Sequence, residues 1–176
     1  MSLLEASSCE IDVTTGLAIR EWSALVVDDV RAMRAIVRSI LRGLGIPEIK
    51  EASCGETALQ ILEGQRVDLV ITDLVMQPMD GLELTRKIRT PGNPFAFVPV
   101  LMISGCHDEA SIKTALSAGI TDYLIKPLTP IGLARKLNSL VLRPRPNVRL
   151  KNYWGPDRRR RKVSVRHDRR GLVGLD

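Results

Sequence analysis

The sequence predicts an α/β fold, a five-stranded parallel sheet with helices on both faces. Three observations lead there. Short runs of consecutive apolar, largely β-branched residues recur along the chain, each is followed by apolar residues at three- and four-residue spacing, and Gly- or Pro-rich breaks separate the pairs. A strand that is apolar at every position is covered on both sides, as strands of parallel sheets are. Strands of that kind alternating with amphipathic helices make βα units.

Residues 1–22 show no sustained period and are read as a flexible lead-in, with Leu17, Ile19 and Trp22 able to anchor on the domain. Ala24 to Val27 is the first strand and ends in two acids, Asp28 and Asp29. The helix after it places Met33, Ile36, Val37, Ile40, Leu41 and Leu44 on one face and Arg31, Arg34, Arg38 and Arg42 on the other. Gly43, Gly45 and Pro47 stop it. Ile49 to Ala52 is a weak second strand, and Glu56 to Glu63 a short helix with Leu59 and Leu62 facing in. Val67 to Thr72 is the third strand and delivers Asp73 to its carboxyl end. Gly81 to Arg89 is the third helix, closed by the breaker-rich TPGNP. The fourth strand is VPVLMIS, and Asp108 caps the helix that contains Ile112, Ala115 and Leu116. Asp122 to Ile125 is the fifth strand, and Pro130 to Leu142 the last helix.

Composition narrows the class. The 176 residues are 44% hydrophobic but only 3% aromatic, so the core is built from Ile, Leu, Val and Met. No apolar run approaches the ~18 residues of a membrane span, and the N-terminus lacks the basic and apolar regions of a secretory signal. Three scattered cysteines suit a reduced cytoplasmic protein better than a disulfide framework or a zinc site. The formal charge of +6 conceals an asymmetry: 12 of the 26 Lys and Arg but 3 of the 20 Asp and Glu fall from Arg143 onward, which leaves 14 against 17 before it. Residues 1–142, the lead-in and the body of residues 23–142 together, are mildly acidic at a net −3, and residues 143–176 are a basic tail.

The topology gives the scattered polar residues one address, because open α/β sheets gather chemistry at the carboxyl ends of their strands. Asp28, Asp29, Asp73, Ser104 and Lys126 all end strands. Three carboxylates crowded at one rim call for a proton or a cation. Oxygen ligands suit Mg²⁺, which keeps several waters and uses one or two carboxylates. Lys126 supplies a second compensating charge.

The acid pair Asp28 and Asp29, Asp73 followed by MQPMDG, Ser104, and DYLIKP with Tyr123 and Lys126 together resemble the receiver domain of two-component response regulators, chemotaxis regulators among them. The resemblance spans residues 23–142. It implies a doubly wound, flavodoxin-like sheet of strand order 2-1-3-4-5. It implies that Asp73 accepts a phosphoryl group from a histidine kinase or histidine phosphotransfer protein, with Mg²⁺ held by Asp29 directly, by Asp28 partly through water, by Asp73 and by the Val75 carbonyl. Lys126 would pair with the phosphoryl oxygens, Ser104 and Tyr123 would switch contacts with a downstream protein, and Lys126–Pro127 would be cis. Such a domain is a signalling module, not an enzyme beyond its own phosphorylation and dephosphorylation. Val75, Gly105 and Gln77 depart from the commonest pattern, Cys106 reads as packing, and His107 as a loop residue.

The tail matches no output domain. It is read as a basic, partly disordered extension, or as a docking arm in which Tyr153, Trp154, Arg158, Arg159, Arg160 and Arg161 meet nucleic acid or an acidic protein surface. A phosphohydrolase with Asp28 as nucleophile is a third reading. Val30 counts against it, because such enzymes resemble D-x-D.

Overall fold

The computed structural model describes residues 18–158. The expectations of a flexible lead-in before residue 18 and of docking roles for Arg159, Arg160 and Arg161 lie outside the described residues. Strands β1 (Ser23–Val27), β2 (Glu48–Ala52), β3 (Leu69–Asp73), β4 (Val100–Ser104) and β5 (Asp122–Ile125) form a parallel sheet of order β2-β1-β3-β4-β5. Helices α1 (Arg31–Gly43), α2 (Gly55–Gly64), α3 (Gly81–Ile88) and α4 (Glu109–Ala118) fill the crossovers, and α5 (Pro130–Leu142) follows β5.

Alternate residues of each central strand enter different cores. Leu25, Val27, Val70, Val100 and Met102 pack with Ala58, Leu62, Leu84, Ile88 and Ala115 of α2, α3 and α4. Ala24, Val26, Leu69, Ile71, Leu101 and Ile103 pack on the other side with Val37, Leu41, Leu133 and Leu137 of α1 and α5. Burial of each such aliphatic side chain contributes about 1.5–3 kcal/mol. Ile19 joins the second core fully buried, with Trp22 packed against it, so the expected anchoring occurs through these two residues.

Helix caps set the strand-to-helix turns. Asp80, Asp108 and Thr129 accept from the backbone N–H groups of Glu83, Ser111 and Gly132, satisfying donors that the helix itself leaves open. The Asp108 cap was legible in the sequence.

Helix α1 departs from the expected pattern at two positions. Ile36 is 47% exposed, while Arg34 turns to the rim, where its Nη1 donates to the Asp28 carbonyl at 2.7 Å and its Nε to Glu51 at 3.3 Å. The helix is rolled so that Val37 and Leu41 carry the core contact, and Arg34 supplies the donors that hold the end of β1.

The larger departure lies beyond α5. Asn147–Leu150 (β6) and Tyr153–Pro156 (β7) form an antiparallel hairpin that folds back on the domain. Its Trp154 N–H donates to the Arg89 carbonyl at 3.0 Å. Arg89 follows α3 and is 2% exposed. Its Nε donates to Gly119 O, and Nη1 to Ala96 O and Val98 O, at 2.7–2.9 Å. Burial pushes its pKa down to about 10, which leaves it charged at neutral pH.

The expectation that Tyr153 and Trp154 stand free for docking is therefore corrected. Tyr153 is buried against Arg89 and Gly119 and donates its hydroxyl to the Pro156 carbonyl at 2.8 Å. Trp154 stacks on Phe97 at a centroid distance of 5.9 Å, with the Arg149 guanidinium over both rings. Tyr153 thus covers the buried Arg89, while the Trp154 ring is taken up by Phe97 and the exposed Arg149.

Gly155 allows that cover to close, since a Cβ there would sit 2.5 Å from Arg89 Cδ and 2.8 Å from its Nε. Gly155→Ala is expected to destabilise the domain by about 1–3 kcal/mol in thermal or urea unfolding. Gly43→Ala, whose Cβ would meet nothing within 4 Å, should leave the midpoint unchanged or raise it.

Candidate functional site

Four adjacent strands, β1, β3, β4 and β5, bring the expected residues to the carboxyl rim. In the β1–β3 register Val27 lies beside Thr72, so Asp28 and Asp73 leave neighbouring strands one residue later. Asp73 pairs with Ile103, which puts Ser104 next to it on β4, and Ser104 pairs with Ile125, which delivers Lys126. Backbone bonds continue past the strands. Leu74 N–H donates to Ile103 O at 3.1 Å, and Lys126 N–H to Ser104 O at 2.8 Å.

Lys126 Nζ lies 3.0 Å from Asp73 Oδ1, with the Asp73 side chain 11% exposed. Asp28 is 5% exposed, and one of its oxygens accepts from Val30 N–H at 2.8 Å. Burial pushes its carboxyl above the ordinary range. The Val30 bond opposes this, the Asp73 charge adds to it, Lys126 opposes it, and Asp29 adds the last increment. Asp29 is exposed, as is the side chain of Val75 at 66%. Each carboxylate has a distinct station: Asp73 paired, Asp28 buried, Asp29 in water.

The Asp73 backbone is held as firmly as its side chain. Thr72 Oγ1 donates to the Asp73 carbonyl at 2.9 Å, and Gly81 N–H donates to Leu74 O at 3.0 Å. A Cβ on Gly81 would lie 2.1 Å from that Asp73 carbonyl, so only glycine lets α3 begin so close to Asp73.

Ser104 and Tyr123 meet on one residue that the sequence did not single out for function. Ser104, 1% exposed, accepts at Oγ from the Cys106 N–H at 3.0 Å. Tyr123, 8% exposed, donates its hydroxyl to the Cys106 carbonyl at 2.7 Å. Cys106 thus joins both expected switch residues to the loop that opens α4. His107 is an exposed loop residue, as expected. Gln77–Pro78 and Lys126–Pro127 are cis, the second of them expected. Arg34 was missed as a contributor to the rim; its register, one and a half turns after Asp28, was its only signal.

Among the described residues no three Asp, Glu, His or Cys side chains form a ready-made metal cage. The donor set nevertheless suits a hard cation that brings its own waters. The Asp28 carboxyl is raised partly by the charges of Asp73 and Asp29, so added positive charge would relieve it. Asp28, Asp29, Asp73 and the Val75 carbonyl are hard oxygen donors of the appropriate kind.

Known proteins are similar to this chain in sequence and fold. A family model described as the response regulator receiver domain matches residues 24–138. Chemotaxis protein CheY1 of Helicobacter pylori is 40% identical over 118 residues, covering 66% of this chain and 94% of its own. CheY-3 of Vibrio cholerae is 39% identical over 124 residues, 70% and 95% of the two chains. Among solved structures, CheY4 of Vibrio cholerae superposes with a TM-score of 0.63 at 28% identity over 68% of this chain and 98% of that one. The receiver domain of sensor histidine kinase PA1611 from Pseudomonas aeruginosa, solved with a magnesium ion coordinated in its active-site cleft, gives 0.62 at 28% identity over 68% and 97%. The β6–β7 hairpin lies past the residues that the family model matches.

A raised carboxyl pKa fixes the sign of one effect. Ionised Asp28 lowers stability at pH values above its raised pKa, and that loss disappears as pH falls through the raised pKa toward the ordinary 3.8. In chelator, Asp28→Asn should melt higher than the parent at pH 7, and the two midpoints should converge under acid conditions. A variant that melts lower at pH 7 would show that the carboxylate's contacts outweigh its burial.

Proposed function

The chain belongs to the response regulator receiver family of two-component signalling, and from that premise we propose that Asp73 is the phosphoacceptor of a switch read through Ser104, Cys106 and Tyr123. The observation that carries the reading is the Lys126–Asp73 pair at 3.0 Å on a rim shared with a buried Asp28. A lone strand-end aspartate is often a turn or cap residue; one paired to a lysine beside a second, desolvated acid is built to handle charge.

In the proposed reaction an Asp73 oxygen attacks the phosphorus of a phosphohistidine on a histidine kinase or phosphotransfer protein. The O–P bond forms, the P–N bond breaks, and the imidazole leaves with the bonding pair and takes a proton. Lys126 holds the attacking carboxylate in place beforehand and donates to the transferred oxygens afterwards. Asp28, Asp29, Asp73 and the Val75 carbonyl are the groups that would hold Mg²⁺, which when bound supplies charge neutralisation for the transferring phosphoryl.

Phosphorylation adds about −1.5 to −2 charge units and three acceptor oxygens beside Ser104. Hydrogen bonds to charged groups contribute about 1.5–3 kcal/mol each. Moving an equilibrium from 1:99 to 99:1 takes about 5.5 kcal/mol. Lys126 is already paired with Asp73, so its gain is partial and Ser104 is the main new donor. The shift is therefore substantial but short of complete. A Ser104 hydroxyl drawn to the phosphoryl group gives up the Cys106 N–H, which loosens the residue that also anchors the Tyr123 hydroxyl. The reader of that change is a downstream protein.

Acetyl phosphate with Mg²⁺ should give an acid-stable, base-labile mass increase that maps to Asp73 and is absent from Asp73→Asn. Label retained by that variant would remove Asp73 from the reaction. Ser104→Ala should still take the label, while the phosphorylation-dependent change in Tyr123 ring resonances is largely lost.

A further inference from the structure

A second polar site lies at the opposite edge of the sheet. Helices α3 and α4 begin near the acceptor rim and run away from it, so their C-terminal ends, with the hairpin over them, mark the far edge. Between these ends and β7 is a cleft of about 290 Å³ lined by Arg86, Arg89, Ser117, Asn152, Tyr153 and Arg158, together with Ala118. Three arginines line it and no acidic residue does.

Arg89 is the informative member. It is 2% exposed, its Nε and Nη1 donate only to neutral carbonyls, and its Nη2 is buried with no partner beyond the Tyr153 phenol packed against the side chain. No carboxylate pairs with it among the described residues. Arg158 leans over the Tyr153 ring at 3.8 Å and gives Nη1 to the Ser117 carbonyl, leaving the rest of its guanidinium available. Arg86 is exposed in the last turn of α3.

Charge decides what such a cleft accepts. The C-termini of two helices contribute about −0.5 each and Asp157, whose charge reaches Tyr153, another −1, against three guanidinium groups, so roughly one positive charge stays uncompensated. A planar guanidinium matches the paired oxygens of phosphate, and a buried one without a counter-ion gains most from it.

We propose that this cleft is a binding site for the dianionic phosphate group of a small phosphomonoester, held by Arg86, Arg89 and Arg158. The site is independent of Asp73 chemistry, lies across the domain from it, and is assembled only because the hairpin folds back. A ligand there is bound jointly by α3, α4 and β7, so its binding stabilises the attachment of the hairpin to the domain.

The test uses the full chain carrying Asp73→Asn in Mg²⁺-free buffer at constant ionic strength, which silences the phosphorylation site. Inorganic phosphate should produce saturable amide shifts at Ser117, Asn152 and Tyr153, with sulfate competing and chloride inert. Arg86→Gln should weaken binding about fivefold, the loss expected for one exposed charge. Arg86 makes no side-chain hydrogen bond or ion pair among the described residues, so its replacement leaves the fold intact even where Arg158→Gln frees the hairpin. Equal shifts with chloride, phosphate affinity unchanged in Arg86→Gln, or binding confined to anionic vesicles or nucleic acid would each overturn the proposal.

Discussion

The structure depends on placing charge at the ends of strands whose bodies are wholly apolar. Every residue of β1 and β4 is buried, and the polar members of these strands, Ser23 and Ser104, stand at strand ends. Chemistry is displaced to the rim, where Asp28 follows β1, Asp73 closes β3 and Lys126 follows β5. Two acids that would repel each other are then brought within range of one ammonium group. The arrangement is stable but biased toward added positive charge. A site held at that bias is suited to a cation, which would offset the repulsion between Asp28 and Asp73.

The connection from acceptor to surface is short. Ser104 lies one strand from Asp73, Cys106 two residues further, and the Tyr123 hydroxyl closes the circuit from β5. Ser104 and Tyr123 are tied to opposite sides of the same residue, the N–H and the carbonyl of Cys106. A disturbance at either is therefore felt at the loop that starts α4. At the other side of the rim Arg34, itself held by Glu51, fixes the Asp28 carbonyl, while the Val30 N–H holds the Asp28 carboxylate.

Much of this was legible in the sequence, and the reasons are physical. Unbroken apolar runs can only be strands covered on both faces, and a polar residue at the end of each run can only be at an edge. Asp73, Ser104 and Lys126 were found that way, as was the Asp108 cap. What escaped were features whose meaning depends on distant partners. Arg34 sits on a helix among other arginines, and nothing local distinguishes the one that turns inward. Arg89 looked like a charged helix end beside a breaker-rich loop, whereas it is among the most deeply buried side chains of the domain. The segment NVRL and YWGP alternates poorly and is crowded with arginines and prolines, so it read as tail. Its order comes from covering Arg89, a tertiary debt that no window of sequence reveals.

The hairpin also sets the polarity of the molecule. It delivers the chain at Arg158 beside the Ser117 carbonyl, at the pole opposite Asp73. A body engaging the Asp73 rim and a body engaging Arg158 therefore address different hemispheres. Neither needs to leave for the other to arrive, so one molecule has the geometry to stand between the two as a bridge, and not only to shuttle from one to the other.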